Sequence, residues 1–162
     1  MKLKVLGLVV LGALMVGCTT SRPVDRVPFN DAEYARLPES GAGVITGQVF
    51  MKTVGGDVKY GAGSPVNLFP VTSYSEQWYD VMFVQHKQLA EPNPKANKYF
   101  RTVQADGNGN FQFSDIPPGD YFISSVVQWQ APTQFGLSNQ GGMLANRIKV
   151  ENGKTTRVMI TR

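Results

Sequence analysis

Ala105-Asp106-Gly107-Asn108-Gly109-Asn110-Phe111-Gln112-Phe113, followed closely by Ile116-Pro117-Pro118-Gly119-Asp120-Tyr121, sets the architecture of the chain. Asp and Asn hydrogen-bond their own backbone, and Gly enters positive φ without steric cost. Asp106 to Gly109 therefore reads as a hairpin turn. Phe111 and Phe113 alternate with Gln112, the period of a half-buried strand. Ile116-Pro117-Pro118-Gly119 is a second tight turn, where Gly119 is expected to adopt a backbone that a Cβ disfavours. The strand it opens, Asp120 to Gln130, is the most apolar in the chain. Tyr121, Ile123, Val127 and Trp129 share one face and Phe122 and Val126 the other, so a central position is expected.

Outward from this stretch the same grammar repeats. Upstream, Ile45, Gly47, Val49 and Met51 alternate with Thr46 and Gln48, and Val66 and Leu68 define a short strand with Pro65 and Pro70 at its ends. Gly55-Gly56-Asp57 and Gly61-Ala62-Gly63 supply turns between them. Tyr99 to Ala105 has strand character before the first turn. Downstream, Ala131 to Gly142 reads as a polar, Gly-rich loop. Met143 to Val150 and Thr155 to Thr161 are then expected to pair across Glu151-Asn152-Gly153-Lys154.

One segment breaks the period. Ser73-Tyr74-Ser75-Glu76 fits a capping box, and Tyr74, Trp78, Val81, Met82, Gln85 and Leu89 follow at three- and four-residue spacing. An amphipathic helix from Ser73 to Ala90 is expected, packing Trp78 and Met82 on the sheet, with Pro92 and Pro94 barring its continuation. The fold class is all-β: a seven-stranded antiparallel Greek-key-type sandwich over residues 43–162 with one inserted helix.

Three pieces carry a family resemblance. They are Gly47-Gln48-Val49 with Pro65-Val66-Asn67-Leu68, the Asp106-x-x-Gly109-x-Phe111-x-Phe113 run, and Ile116-Pro117-Pro118-Gly119-x-Tyr121. Together they resemble the carboxypeptidase regulatory-like domain, a transthyretin-type (prealbumin-like) sandwich, across residues 43–161. The resemblance implies an accessory, stabilising or binding module without catalytic residues of its own; a shared fold does not name the ligand.

The N-terminus reads as an address. Lys2 and Lys4 precede an apolar run from Val5 to Val16, and Gly17 stands before Cys18, as in a secretory signal. The run is shorter than the roughly 20 residues that span a bilayer. Met15-Val16-Gly17-Cys18 resembles the lipobox of bacterial lipoproteins, which implies a signal peptide at 1–17 and lipidation of Cys18. A plain signal peptide and a buried helix containing a cysteine are the competing readings. Thr19 stands where Asp would resemble an inner-membrane retention signal, so in a two-membrane cell the resemblance implies the outer membrane. Residues 18–42 mix Pro, Ser, Gly and charges and read as a flexible linker, with one helical turn at most between Asp31 and Leu37.

Composition narrows the function. The formal charge of +4 includes Lys2 and Lys4, which leave with the signal, and the remainder is dispersed; a nucleic-acid partner is not expected. The single Cys cannot form an internal disulfide. His86 is the one histidine, too few for the iron site of the sandwich-type dioxygenases or for the hydroxyisourate hydrolases, whose Tyr-Arg-Gly-Ser ending is also not matched by Met159-Ile160-Thr161-Arg162. Asp106-Gly107-Asn108-Gly109-Asn110 places oxygen side chains at alternate positions like a calcium loop. Phe111 and Pro117 then stand where that loop needs Gly and Glu, so a turn is the better account. Lys95, Lys98 and Arg101 form a small basic group, read as a solvated edge. No cofactor, metal or catalytic residue is expected. Trp129, Gln130, Gln134 and Phe135 are the candidate contact surface, since aromatic and amide groups suit sugars and extended peptides. The function read from this is a membrane-anchored, non-catalytic structural or protein-interaction module of the cell envelope, or a lipoprotein that binds polysaccharide or peptidoglycan.

Overall fold

The computed structural model describes residues 22–162, and Cys18 and the signal segment lie outside them. Eight strands form two sheets. They are β1 (Gly43–Lys52), β2 (Val58–Tyr60), β3 (Pro65–Pro70), β4 (Arg101–Gln104), β5 (Asn110–Ile116), β6 (Gly119–Thr133), β7 (Gly136–Val150) and β8 (Thr155–Ile160). In the first sheet β1 is central, with β8 on one side and β5 and β2 on the other; the second runs β4-β3-β6-β7. The all-β sandwich is as expected, with β2 as an additional short strand.

The core lies between the sheets. Ile45 and Val49 of β1, Phe113 and Ile116 of β5 and Ile160 of β8 face Val66 and Leu68 of β3, Ile123 and Val127 of β6 and Leu144 of β7. Alternation puts these residues on one face of each strand, and their burial from water is the main force holding the sheets together. Tyr121 closes one end: its ring is buried and its Oη donates to the Pro117 carbonyl at 2.9 Å. Gly119 has φ of +155°, which suits the absence of a Cβ at this corner.

Strand pairing departs from the sequence reading in two places. Asp106 to Gly109 does not join a hairpin, because β4 pairs with β3 in one sheet and β5 with β1 in the other. Likewise Glu151 to Lys154 carries the chain between sheets, and β8 pairs with β1 in parallel rather than with β7. Such turn chemistry reverses the chain equally well within a sheet or across the sandwich. The direction is set by which apolar face must be buried.

Residues 131–142 are not a loop. β6 and β7 pair without interruption from Gly119↔Val150 to Thr133↔Gly136. At Gly141, φ +101°, a Cβ would lie 2.0 Å from the Val127 carbonyl oxygen and 3.0 Å from the Trp129 ring. The Gly content that suggested a loop therefore serves close backbone approach within a strand.

The inserted helix is shorter and starts one residue earlier than expected. Thr72 is the N-cap: its Oγ1 accepts from the Ser75 amide, and the Ser75 hydroxyl accepts from the Thr72 amide. Ser73 is committed elsewhere, its amide and hydroxyl both donating to Glu33. Helix α2 (Ser73–Trp78) continues as a π-helical turn, Tyr79–Val84, and His86 at φ +53° ends it well before Ala90.

Residues 22–42, expected as part of a free linker, are laid on the sandwich. Val24 bridges to Leu89, Arg26 Nε donates to the Ala90 carbonyl at 2.6 Å, and the Gln77 side chain ties to Asp25 and Val27. Helix α1 (Asp31–Tyr34), capped by Asn30, buries Tyr34. Aromatic side chains that the sequence places in a polar segment supply apolar area that repays the ordering.

Candidate functional site

The second sheet has an unusual outer face. Phe69 and Phe122 are directly opposed on β3 and β6 and point away from the core, because their neighbours Leu68 and Ile123 point into it. Aromatic rings from two further segments cover them, and the N-terminal arm adds a second aromatic cluster alongside. Trp78 of α2 meets Phe69 edge-on with centroids 4.9 Å apart, and Tyr79 stacks on Phe122 at 4.9 Å. From the 3-10 turn Pro94–Tyr99 and the residue after it come Tyr99 and Phe100. Phe100 stacks on Phe69 at 4.6 Å, its plane 12° from parallel, yet stays 46% exposed. From the N-terminal arm, Phe29 stacks on Tyr34 at 4.4 Å, and Tyr34 lies 4.5 Å from Tyr99.

These rings do not close over one another completely. A cleft of ≈ 310 Å³ remains, walled by Phe69, Trp78, Tyr74, Tyr99 and Phe100, with Arg26 and Asn97 among its polar groups. The Arg26 guanidinium lies 5.1 Å over the Tyr74 ring, held by its bond to the Ala90 carbonyl. Tyr74 Oη accepts from the Asn93 amide at 2.7 Å, and Tyr34 Oη accepts from Thr72 Oγ1 at 3.0 Å. Burial raises the Tyr34 hydroxyl above its ordinary range, so it is a neutral hydrogen-bonding group. Among the described residues neither the Asn97 side chain nor the Tyr99 hydroxyl has a hydrogen-bond partner.

Tyr34, Pro70 and Tyr99 also wall a second cleft, of ≈ 490 Å³, which continues toward the end of the sandwich. Arg101, Lys98, Glu39 and Tyr121 line it. Arg101 donates to the Asp115 carbonyl at 3.2 Å, and Lys98 Nζ sits 5.6 Å from the Tyr99 ring centre. Two of the three residues read as a solvated basic edge thus border a concave surface, and Lys95 instead pairs with Asp31. Adjoining apolar and charged clefts can hold an extended, amphipathic ligand. A broader concavity of ≈ 880 Å³ on the first sheet, lined by Gln48, Asn110, Gln112, Arg157 and Met159, has one ring in its lining, Phe111, which is buried.

The structure separates the residues expected to form a contact surface. Trp129 is half-buried and packs against the core, while Gln130 is exposed further along β6. Gln134 and Phe135 form the tip of the β6–β7 hairpin, where Phe135 is 91% exposed. His86 is exposed and lines none of these clefts. The Asp106 carboxylate is occupied by its own turn, accepting from the Asn108 and Asn110 amides at 2.8 Å each and from the Asn110 side chain. Those bonds, the Asn110 side chain foremost, lower its carboxyl below the usual range. Sequence reading missed the aromatic cleft, although the density of rings at 69–100, outside any strand period, was its signal.

No family model matches the chain. A candidate carbohydrate-binding protein from Pseudomonas aeruginosa, known as a crystal structure, superposes with a TM-score of 0.78 at 30% identity, covering 85% of this chain and all of that one. Colossin-A of Dictyostelium discoideum is 30% identical over 81 residues, half of this chain, which spans only 1% of that protein. The minor pilin GBS52 of Streptococcus agalactiae is 18% identical over 75% of this chain and 44% of its own, with a TM-score of 0.41.

Proposed function

The chain belongs to the same family as the Pseudomonas aeruginosa protein, and on that premise we propose that it is a non-catalytic carbohydrate-binding module of the bacterial cell envelope, anchored through a lipid on Cys18. The observation that carries this reading is the half-exposed Phe100 ring stacked at the mouth of a cleft that Trp78 and Tyr99 also wall. Sugar rings present flat C–H faces that settle on aromatic faces, and their hydroxyls need a few placed polar groups; Arg26, Asn97 and the Tyr99 hydroxyl are suited to that. The resemblance to carboxypeptidase regulatory-like domains supports an accessory role. The lipobox-like Met15-Val16-Gly17-Cys18 supports the anchor, with Thr19 favouring an outer membrane. Each buried methylene of an acyl chain contributes about 0.8 kcal/mol, so two or more chains hold the module at the surface.

The test is titration of the detergent-solubilised chain with peptidoglycan fragments, capsular and O-antigen oligosaccharides, followed by tryptophan fluorescence and calorimetry. Saturable binding that shifts the emission, and that Phe100→Ala weakens, is the expected result. No saturable binding to any of the three glycan classes would remove the proposal.

A further inference from the structure

We propose that two copies of this chain associate through the free edge of β7, pairing residues 136–146 antiparallel with the same residues of the second copy. β7 is the outermost strand of its sheet and, like β6, is 15 residues long, well beyond the usual ~5–6. An unpaired edge of that length offers a row of backbone donors and acceptors, which proteins ordinarily blunt with short strands, charges or prolines. The other edge strands here are blunted. β2 has three residues and carries Lys59, β4 has four and carries Arg101, and β8 and β5 bear Arg157 and Asp115. By contrast, the sequence from Tyr121 to Asn146 contains no charged residue at all.

Neutrality over this span points to a second copy. When a strand pairs with itself about a two-fold axis, a charge near the axis meets its own like charge. A strand from an unrelated partner imposes no such condition. Leu137, 68% exposed, and Phe135 at the tip add apolar area that a paired arm would cover. The charged residues of β7, Arg147 and Lys149, lie beyond the proposed contact, and Arg147 is engaged with Glu76. The aromatic cleft lies over β3 and β6 and does not include the β7 edge, so a dimer would present two glycan sites.

The experiment uses the full chain in detergent. Leu137, Ser138, Gln140 and Gly142 are replaced one at a time by Cys, with Thr155→Cys on the β8 edge as control, and mild oxidant is added. The proposed register puts the two-fold axis at residue 141, so homodimer cross-links are expected from Gln140→Cys and Gly142→Cys, with little from Leu137→Cys, Ser138→Cys or Thr155→Cys. Gln140→Lys should weaken the dimer by roughly tenfold or more in light scattering while leaving unchanged the melting temperature of the dilute monomer. A monomer at all concentrations, equal cross-linking from Thr155→Cys, or a dimer indifferent to Gln140→Lys would each overturn the proposal. So would cross-linking in whole cells to a different protein, or a monomer whose Phe135→Trp emission shifts on adding liposomes, which would assign the tip to lipid.

Discussion

Phe100 lies flat on Phe69, ring centres 4.6 Å apart, although one belongs to a connecting segment and the other to the outer face of β3. Phe69 is buried beneath the stack and Phe100 caps it from the solvent side. The pair is therefore both a structural contact and an exposed aromatic platform. Replacing its outer member should affect ligand binding more than stability. Phe100→Ala is expected to cost no more than about 1 kcal/mol in folding and about tenfold in affinity for a bound oligosaccharide. Parallel calorimetric titration and denaturant unfolding measure the two effects; a stability loss with affinity intact would place Phe100 in the scaffold alone.

Tyr121 and Trp129 share one face of β6 but differ in burial. Tyr121→Ala removes a buried ring and should cost about 3–5 kcal/mol, by analogy with Phe→Ala. Tyr121→Phe loses only the bond to Pro117 and should cost about 1 kcal/mol. Trp129→Ala, at a half-buried site, is expected between these two. Denaturant midpoints of the three variants give the order, and equal losses for Trp129→Ala and Tyr121→Ala would show that Trp129 is full core.

The Asp106 carboxyl is held below its unfolded value of about 3.9 by bonds to the charged form. A depressed carboxyl stabilises the fold above its unfolded pKa, and the contribution is lost as pH falls through the folded one. Wild type should therefore exceed Asp106→Asn in stability by a constant margin above about pH 5, narrowing below about pH 4. Thermal melts across pH 2–7 follow the margin; a gap independent of pH would mean the carboxylate is not the acting group.

Tyr34 pins the N-terminal arm through Phe29, Tyr99 and Thr72. Tyr34→Ala should release the arm, because few other buried groups hold it. Limited trypsin digestion should then cut at Arg26 and Arg36 several-fold faster than in wild type while the sandwich survives. Unchanged cleavage would mean that the ties from Arg26 and Gln77 suffice.

Cys18→Ala is expected to abolish acyl incorporation from labelled fatty acid and to leave an unprocessed or released chain. Fractionation and mass of the product check both. Membrane association at wild-type size would end the lipoprotein reading.

Ile45, Val49, Val66, Leu68, Phe111, Phe113, Tyr121 and Ile123 were legible in the sequence as inward-facing because alternation is a local property: a residue's face follows from its immediate neighbours. The corner at Pro117–Gly119 was legible because turn chemistry is likewise local; the bond from the Tyr121 hydroxyl to Pro117 came from the folded geometry. Pairing was not. Asp106–Gly109 and Glu151–Lys154 specify a reversal of the chain, but joining β5 and β8 to β1 required burying apolar faces separated by many residues. The aromatic cleft lies furthest from local rules, since Arg26, Phe69, Trp78 and the adjacent pair Tyr99 and Phe100 come from four separate segments and no spacing relates those segments. Only packing on the outer face of the second sheet brings them together, because the free energy of burying those rings depends on which surfaces meet in space and not on their order along the chain.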